Sequence, residues 1–403
     1  MSLKEKLVSS FMAFENTLDV DSPVHDIRTE AIKTFETEGF PTRREEDWKY
    51  TSLNSVLKHD YSVFPKHENA LEFKDVKKYF IHEIDSYKII FIDGKYSSHL
   101  SQTTHDGIDV CLMSAALNKP KYQLIIENYF NKIAPKNGLS SLNTAFSAEG
   151  AYIHIPKNKL VEKPIQVIHF STGNEAALML QPRNLVVVDE NSHVKIQNDK
   201  ESASLIDNTF VNQKQESHAK VHTFSFGGKL IRNNLNFYQN GERIDSTMKG
   251  ITIIGNKQHV DHNTLVHHIE PNCESHQDYK GIFDDSSTGV FNGKVVVEKE
   301  AQKTNAFQSN NNILISDKAS INTKPQLEIF ADDVKCSHGC TIGQLDDSAM
   351  FYLRSRGIPE KEARALLMFA FSNNVLDSVK IPEMKNRITK IIANKLGVNI
   401  GFD

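Results

Sequence analysis

The amino-acid sequence predicts a mainly β protein whose core is a parallel β-solenoid, with a helical region on either side. Short β-rich runs, separated by Gly, Asn and Asp, fill residues 136–345. Between residues 246 and 330 these runs restart about every 10 to 14 residues, a spacing typical of a sandwich, a barrel or a solenoid. Helical periodicity is confined to residues 1–135 and 346–403.

The distribution of amide side chains favours a solenoid over a sandwich. Asn and Gln are dense inside one strand-like run, at positions 305, 308, 310, 311 and 312. Stacked parallel strands place identical amides above one another, where they form ladders. A sandwich more often uses Asn-Gly or Asp-Gly hairpins, and in the densest β stretch such dipeptides occur only at 240–241 and 292–293.

The first region, residues 1–135, is predicted to be mostly helical. A helix begins at Ser22-Pro23, because Pro is tolerated in a first turn, and it ends at Gly39. The charged segment TRREEDWKYT follows and carries the only tryptophan, Trp48, which we interpret as an aromatic anchor for a solvated segment. Two further elements are predicted, a strand with a turn over 88–96 and a helix over 122–133.

The third region, residues 346–403, is predicted to be helical again. One helix has an acidic N-cap near Asp346 and stops at Gly357, and the next has Pro359 in its first turn. This second helix has apolar residues on more than one side, so it needs more than one partner surface. Burial within the chain and presentation to another protein both remain open.

Composition excludes several classes of function. The net charge of −4, without a basic stripe, does not favour nucleic-acid binding. The sequence lacks a phosphate-binding loop, a GxGxxG turn, a GxSxG elbow and the HExxH and CxxC motifs, so it predicts no nucleotide bound by this chain. No apolar run is long enough for a membrane span, and the four cysteines fit a reducing, cytoplasmic setting.

A group of metal-capable side chains lies within residues 262–276. Its members are His262, His267, His268, Glu270, Cys273 and His276. On one extended strand His268 and Glu270 share a face while His267 points the other way, so the whole group does not converge from a single segment. A metal role built with neighbouring turns and a purely structural role both remain open.

The segment KCSHGC, residues 335–340, is the second candidate site. In an extended strand Cys336, His338 and Cys340 share a face, about 6.7 Å apart in sequence order. Cys336 and Cys340 are separated by two such steps, nearly twice the Cα distance of about 7 Å that a disulfide allows. A disulfide between them is therefore disfavoured unless the chain folds at Gly339. Thiolate and imidazole sites usually have four ligands, so the segment is interpreted as half of a metal site, completed by residues from elsewhere.

Long motifs in the sequence resemble the SufB/SufD family of iron–sulfur cluster assembly proteins. The segment LEIFADDVKCSHGCTIGQLDDSAMFYLRSRG and the helix after it are similar to the family's C-terminal signature. The segment GFPTRREEDWKYT resembles the N-terminal signature of its SufD branch, and KCSHG is the form found in that branch. The resemblance covers essentially the whole chain.

The resemblance implies a fold and a set of partners. The expected fold is a right-handed parallel β-helix core (136–345), flanked by an N-terminal helical (α/β) domain (1–135) and a C-terminal helical domain (346–403). Such a chain is expected to pair with a SufB-like subunit through the β-helix ends, to dock a SufC-like ABC ATPase through its C-terminal helices, and to form a homodimer when isolated. In some family members the assembly also binds reduced flavin, and the sequence leaves this open here.

The resemblance also implies roles for individual residues. His338, with Cys336, is expected to hold a transient Fe–S cluster shared with the SufB partner. Cys340 departs from the family pattern, in which alanine usually follows the glycine, so its role as a ligand is left open. The residues expected to contact the ATPase are Arg356, Pro359, Ala363, Leu366, Leu367 and Phe371.

We therefore expect a non-enzymatic scaffold, and two alternatives remain. A stand-alone metal-binding β-helix homodimer would use the residues between His262 and His276. A polysaccharide-cleaving β-helix would require a groove with converging carboxylates or basic residues, and no such pair is evident in the sequence.

Overall fold

The computed structural model of this chain is mainly β, with helices at both ends. It describes residues 2–16, 24–54, 57–59, 61, 71–76, 85–102, 107–132, 137–146, 150–170, 179, 183–200, 204–379, 382–395 and 398. None of the helices among these residues is long and apolar enough to cross a membrane.

The helices and strands follow one another in this order. The N-terminal part contains α1 (Leu3–Glu15), α2 (His25–Glu38), a 3₁₀ turn (Glu46–Trp48), α3 (Phe73–Val76), β1 (Tyr87–Ile92), β2 (Lys95–Tyr96), β3 (Asp109–Leu112), α4 (Met113–Leu117), α5 (Pro120–Lys132) and α6 (Gly138–Phe146). The strands that follow are β4 (Ala151–Ile155), β5 (Ile165–Phe170), β6 (Arg183–Val188), β7 (His193–Lys200), β8 (Ser204–Gln213), β9 (His218–Ser225), β10 (Leu230–Gln239), β11 (Asp245–Ile254), β12 (His259–His268), β13 (Glu274–Phe283), β14 (Thr288–Val297), β15 (Asn305–Leu314), β16 (Ser320–Ile329) and β17 (Lys335–Gly343). The C-terminal helices are α7 (Asp347–Ser355), α8 (Glu360–Ser378) and α9 (Pro382–Lys395).

The strands form a parallel β-solenoid, which confirms the predicted fold class. From β4 onward they alternate between two sheets, so each strand is hydrogen-bonded to the strand two places along the chain. Pairing is parallel throughout β4–β17, whereas β1–β2 and β3–β4 are antiparallel. The sandwich alternative is excluded because, from β4 onward, consecutive strands lie in different sheets and are not paired as hairpins. Residues facing inward from both sheets, including Val221, Phe237 and Val266, form the main apolar core.

An amide ladder is present, but it lies on the eight-stranded sheet and not at the run 305–312 that the sequence indicated. On the outer face of the eight-stranded sheet, Asn208, Asn234, Asn263 and Asn292 lie in register on successive strands. The Asn234 Nδ2 donates to Asn208 Oδ1 at 2.8 Å. Such bonds satisfy polar groups that would otherwise be buried without partners.

The N-terminal region covers the outer face of the eight-stranded sheet. α2 ends at Gly39 with a φ of 72°, as predicted, and the predicted helix start at residues 22–23 lies outside the described residues. Helices α1, α2 and α6 share an apolar cluster with Trp48 and Leu230. The predicted boundary at residue 135 does not mark where the sheets begin, because β1 already pairs with β5 and β3 with β4.

The Trp48 segment is bound to the solenoid by a buried polar network. The guanidinium of Arg232 lies 3.9 Å from the centre of the Trp48 ring and donates to Asp261 Oδ2 at 2.6 Å. The hydroxyl of Thr51 donates to the same carboxylate oxygen at 2.5 Å. These contacts support the interpretation of Trp48 as an anchor and add a buried ion pair that the sequence did not reveal.

The C-terminal helices cover part of the nine-stranded sheet. Apolar residues of α8 and α9 pack against Phe224, Ile251 and Ile282 on its outer face. The Lys280 ammonium on β13 donates to the main-chain oxygen of Phe371 in α8 at 2.6 Å. Burial within the chain therefore accounts for much of the apolar surface of α8.

Candidate functional site

The last strand, β17, lies at an open edge of the solenoid. It pairs with β15 on one side, and its other side has no strand partner in the part of the chain that the structure describes. Eight of its nine residues are exposed and Cys336 is half-buried. An exposed strand edge carries unpaired N–H and C=O groups that can bind a strand of another chain.

The pairing register determines which side of the sheet each side chain occupies. Cys336, His338 and Cys340 lie beside Ala306, Gln308 and Asn310 of β15. Those three neighbours are buried in the solenoid interior. Because side chains alternate along a strand, the three β17 residues share the inward face, as the sequence predicts.

The three candidate ligands differ in environment. Cys336 packs with Ala306 and Val295, and burial raises the pKa of its thiol, which disfavours the thiolate that binds metal. His338 and Cys340 are exposed at the open edge formed by β17. All four cysteines are free, so no disulfide joins Cys336 to Cys340.

The histidines of the 262–276 group lie on different faces and on different sheets of the solenoid. His262 faces inward and contacts Asn233 Nδ2 at 3.1 Å and Thr252 Oγ1 at 2.8 Å. His268 is buried against Ser275, and burial lowers the pKa of its imidazole to about 3. These two rings have structural hydrogen bonds.

The remaining members of this group are dispersed, and Glu270 is exposed to solvent. The His267 ring is 2.7 Å from a Glu298 carboxylate oxygen, while His276 lies on the other sheet and stacks on Phe307 at 5.4 Å between ring centres. Burial raises the pKa of the Cys273 thiol to about 11. Among the described residues, no three His, Cys, Asp or Glu side chains are grouped as a metal site.

The predicted ATPase-contacting residues are only partly accessible. Arg356 and Pro359 are exposed, and Leu366, Leu367 and Phe371 are half-buried. Ala363 is fully buried, so its predicted contact with a partner does not fit this conformation.

The structure also reveals exposed apolar residues that the sequence analysis missed. Phe330 and Ile342 are 61% and 50% exposed at the open end, and Phe351 of α7 is 76% exposed. α7 buries none of its residues. A groove of about 740 Å³ runs between α7 and the corner that contains Ile315. The sequence could have indicated Phe330 and Ile342, because both are apolar residues near the last predicted strand, which no later strand covers.

Comparison with known proteins identifies the family. The model of the SufBD core domain of the SUF system for FeS cluster assembly matches residues 165–371, and that of the SufBD N-terminal region matches residues 1–167. The chain belongs to the SufBD family. The resemblance inferred from the sequence is therefore confirmed, and the family supports a role in iron–sulfur cluster assembly by the SUF system.

Individual relatives agree with this assignment. The chain is 27% identical to iron–sulfur cluster assembly protein SufD of Escherichia coli, covering 89% of this chain and 90% of the relative. It is 29% identical to an iron–sulfur cluster assembly SufBD family protein of Synechocystis, covering 88% and 87%. It is also 27% identical to SufD of Bacillus subtilis, covering 68% and 70%.

Proposed function

We propose that this SufBD protein is a SufD-type scaffold subunit, without turnover of its own, that pairs with a SufB-type subunit through the open edge at β17. The observation that carries the proposal is the exposed last strand, in which His338 shares a face with Cys336 and Cys340. In this proposal the nascent Fe–S cluster is cargo held between the two subunits and passed to apo-proteins.

Within this proposal His338 is the main ligand supplied by this chain. Its ring is exposed, whereas Cys336 is half-buried with a raised thiol pKa. Cys340 is exposed and is the more accessible of the two thiols. One imidazole, with at most one thiolate, leaves the ligand set incomplete, and the partner subunit completes it.

Co-purification with SufB-type and SufC-type subunits tests this function. We expect His338→Ala to leave complex assembly intact and to lower the iron and sulfide content of the complex severalfold. His218→Ala on β9 is the matched control, because this histidine lies on the outer face away from the last turn. Equal iron content in the two variants would contradict the proposed role of His338.

We further propose that the exposed surface formed by α7 and the start of α8 docks the SufC-type ATPase. Phe351, Arg356 and Pro359 are accessible there, and the groove of about 740 Å³ lies beside them. Phe351→Glu should abolish ATPase binding while SufB-type pairing persists. Leu160→Glu, at an exposed apolar residue remote in sequence, is the control. Undiminished ATPase binding by Phe351→Glu would contradict the proposal.

A further inference from the structure

Gln308 of β15 is a buried polar residue that the fold does not use. Its side chain is 3% exposed, and neither its carboxamide oxygen nor its nitrogen has a hydrogen-bond partner among the described residues. Buried amides are normally hydrogen-bonded because desolvation without a partner is unfavourable. An amide kept in this position therefore suggests a role beyond packing.

The space around Gln308 is shaped for its amide. On the facing sheet, a Cβ atom at Gly293 would lie only 2.3 Å from Gln308 Nε2. The glycine therefore leaves room for the carboxamide inside the solenoid. On the previous turn the equivalent residue, Gln277, accepts a hydrogen bond from Thr264 Oγ1 at 2.7 Å. Gln308 has no comparable neighbour on its own turn.

The next residue in the same inward column is His338. The register places it directly beside Gln308 on the last strand, and adjacent strands are about 4.8 Å apart. A metal-bound imidazole uses one ring nitrogen for the metal and usually donates the other N–H to an oxygen atom. This second hydrogen bond determines the tautomer and therefore which nitrogen is available for the metal.

We propose that the His338 ring turns toward the solenoid interior, where the Gln308 carboxamide oxygen accepts its ring N–H. This hydrogen bond then holds the other ring nitrogen toward the open edge of the last turn. Gln308 is thus a positioning residue. The inference rests on the proposed function for what His338 binds, but the hydrogen bond itself would involve residues of this chain alone.

Nitrogen NMR of the metal-free full chain tests the contact. With ¹⁵N-labelled histidine at a pH where the ring is neutral, the His338 signals are those that disappear in His338→Ala. We expect a single dominant tautomer in the unsubstituted chain and a mixture of both tautomers in Gln308→Met. Gln308→Glu keeps an acceptor at this position and should retain the single tautomer.

Two further variants make the result decisive. Ser309→Ala changes the neighbouring outward-facing residue and should leave the tautomer unchanged. Gln308→Asn withdraws the amide by one methylene and should give the mixture even if Gln308→Met fails to fold. The same tautomer ratio in the unsubstituted chain and in the folded Gln308 variants would overturn the inference.

The outcome is separable from that of the proposed function. If Gln308 controls the tautomer but His338→Ala leaves the iron content of the complex unchanged, the contact stands and the proposed cluster role fails. If the tautomer is insensitive to Gln308 while His338→Ala lowers iron content, the function stands and the positioning role fails.

Discussion

The strands β10 and β17 belong to the same solenoid, but the polar side chains of β10 are mostly buried whereas those of β17 are exposed. In β10 every residue is buried or half-buried, and Arg232 is bound by Asp261 and stacks on Trp48. In β17 only Cys336 is partly buried, and the other eight residues, His338 among them, are exposed. Polar groups in the middle of the solenoid thus stabilise the chain itself, whereas those of the last turn are available to another molecule.

Removal of the central ion pair should give the largest effect. Asp261→Ala leaves the Arg232 guanidinium, 4% exposed, as an uncompensated buried charge. We expect the free energy of unfolding to fall by about 3–5 kcal/mol, measured by urea denaturation. Glu328→Gln, which breaks the exposed pair with Lys294, should cost less than about 1 kcal/mol. Equal losses would mean that the network around Trp48 is not structural.

Loss of the Lys280 contact should have a smaller and more local effect. Its ammonium donates to the Phe371 carbonyl and lies 4.8 Å from the centre of the Phe371 ring. Lys280→Met should destabilise the chain by about 1–2 kcal/mol and increase hydrogen exchange in α8. Lys249→Met, on the same face, is the control. Unchanged exchange in α8 would show that this contact does not hold the helix on the sheet.

Acid should destabilise the central turns through His268. Because its pKa is lowered to about 3 in the folded chain, the unfolded chain binds the extra proton first as pH falls below about 6.5. This group should therefore contribute a loss on the order of 1 kcal/mol between pH 7.5 and 5.5. Its contribution should vanish in His268→Gln and persist in His267→Gln. Identical pH profiles for both variants would contradict this assignment.

Substitutions in the last turn should have the smallest effect on stability. His338→Ala and Cys340→Ala remove exposed side chains, so each should change the free energy of unfolding by less than about 0.5 kcal/mol. Thermal denaturation of the isolated chain measures this. A loss of several kcal/mol would assign these residues to the fold rather than to binding.

The sequence predicted the solenoid because strand spacing and amide density are local properties of the chain. It also predicted that Cys336, His338 and Cys340 share a face, since alternation along a strand requires only an extended backbone. The burial of Ala363 and the Arg232–Asp261 pair were not predicted. Both depend on which distant segments meet, and neither residue lies in a motif that indicates its partner.

The position of Gln308 beside His338 was likewise hidden from sequence reasoning. The two residues are on strands whose pairing depends on the length of one solenoid turn. A register shifted by one residue would have put Gln308 on the outer face. The family resemblance indicated His338. The identification of Gln308 as its neighbour required the pairing register of β15 and β17, which the sequence does not show.

The most direct test of the central claim is photo-crosslinking of the assembled complex. A photo-reactive amino acid replaces Ile342 at the open edge in one variant and Leu160, also exposed, in another. We predict crosslinks to the SufB-type subunit from position 342 and none from position 160. Crosslinks to that subunit from position 160 alone would contradict the account of β17 as the pairing edge.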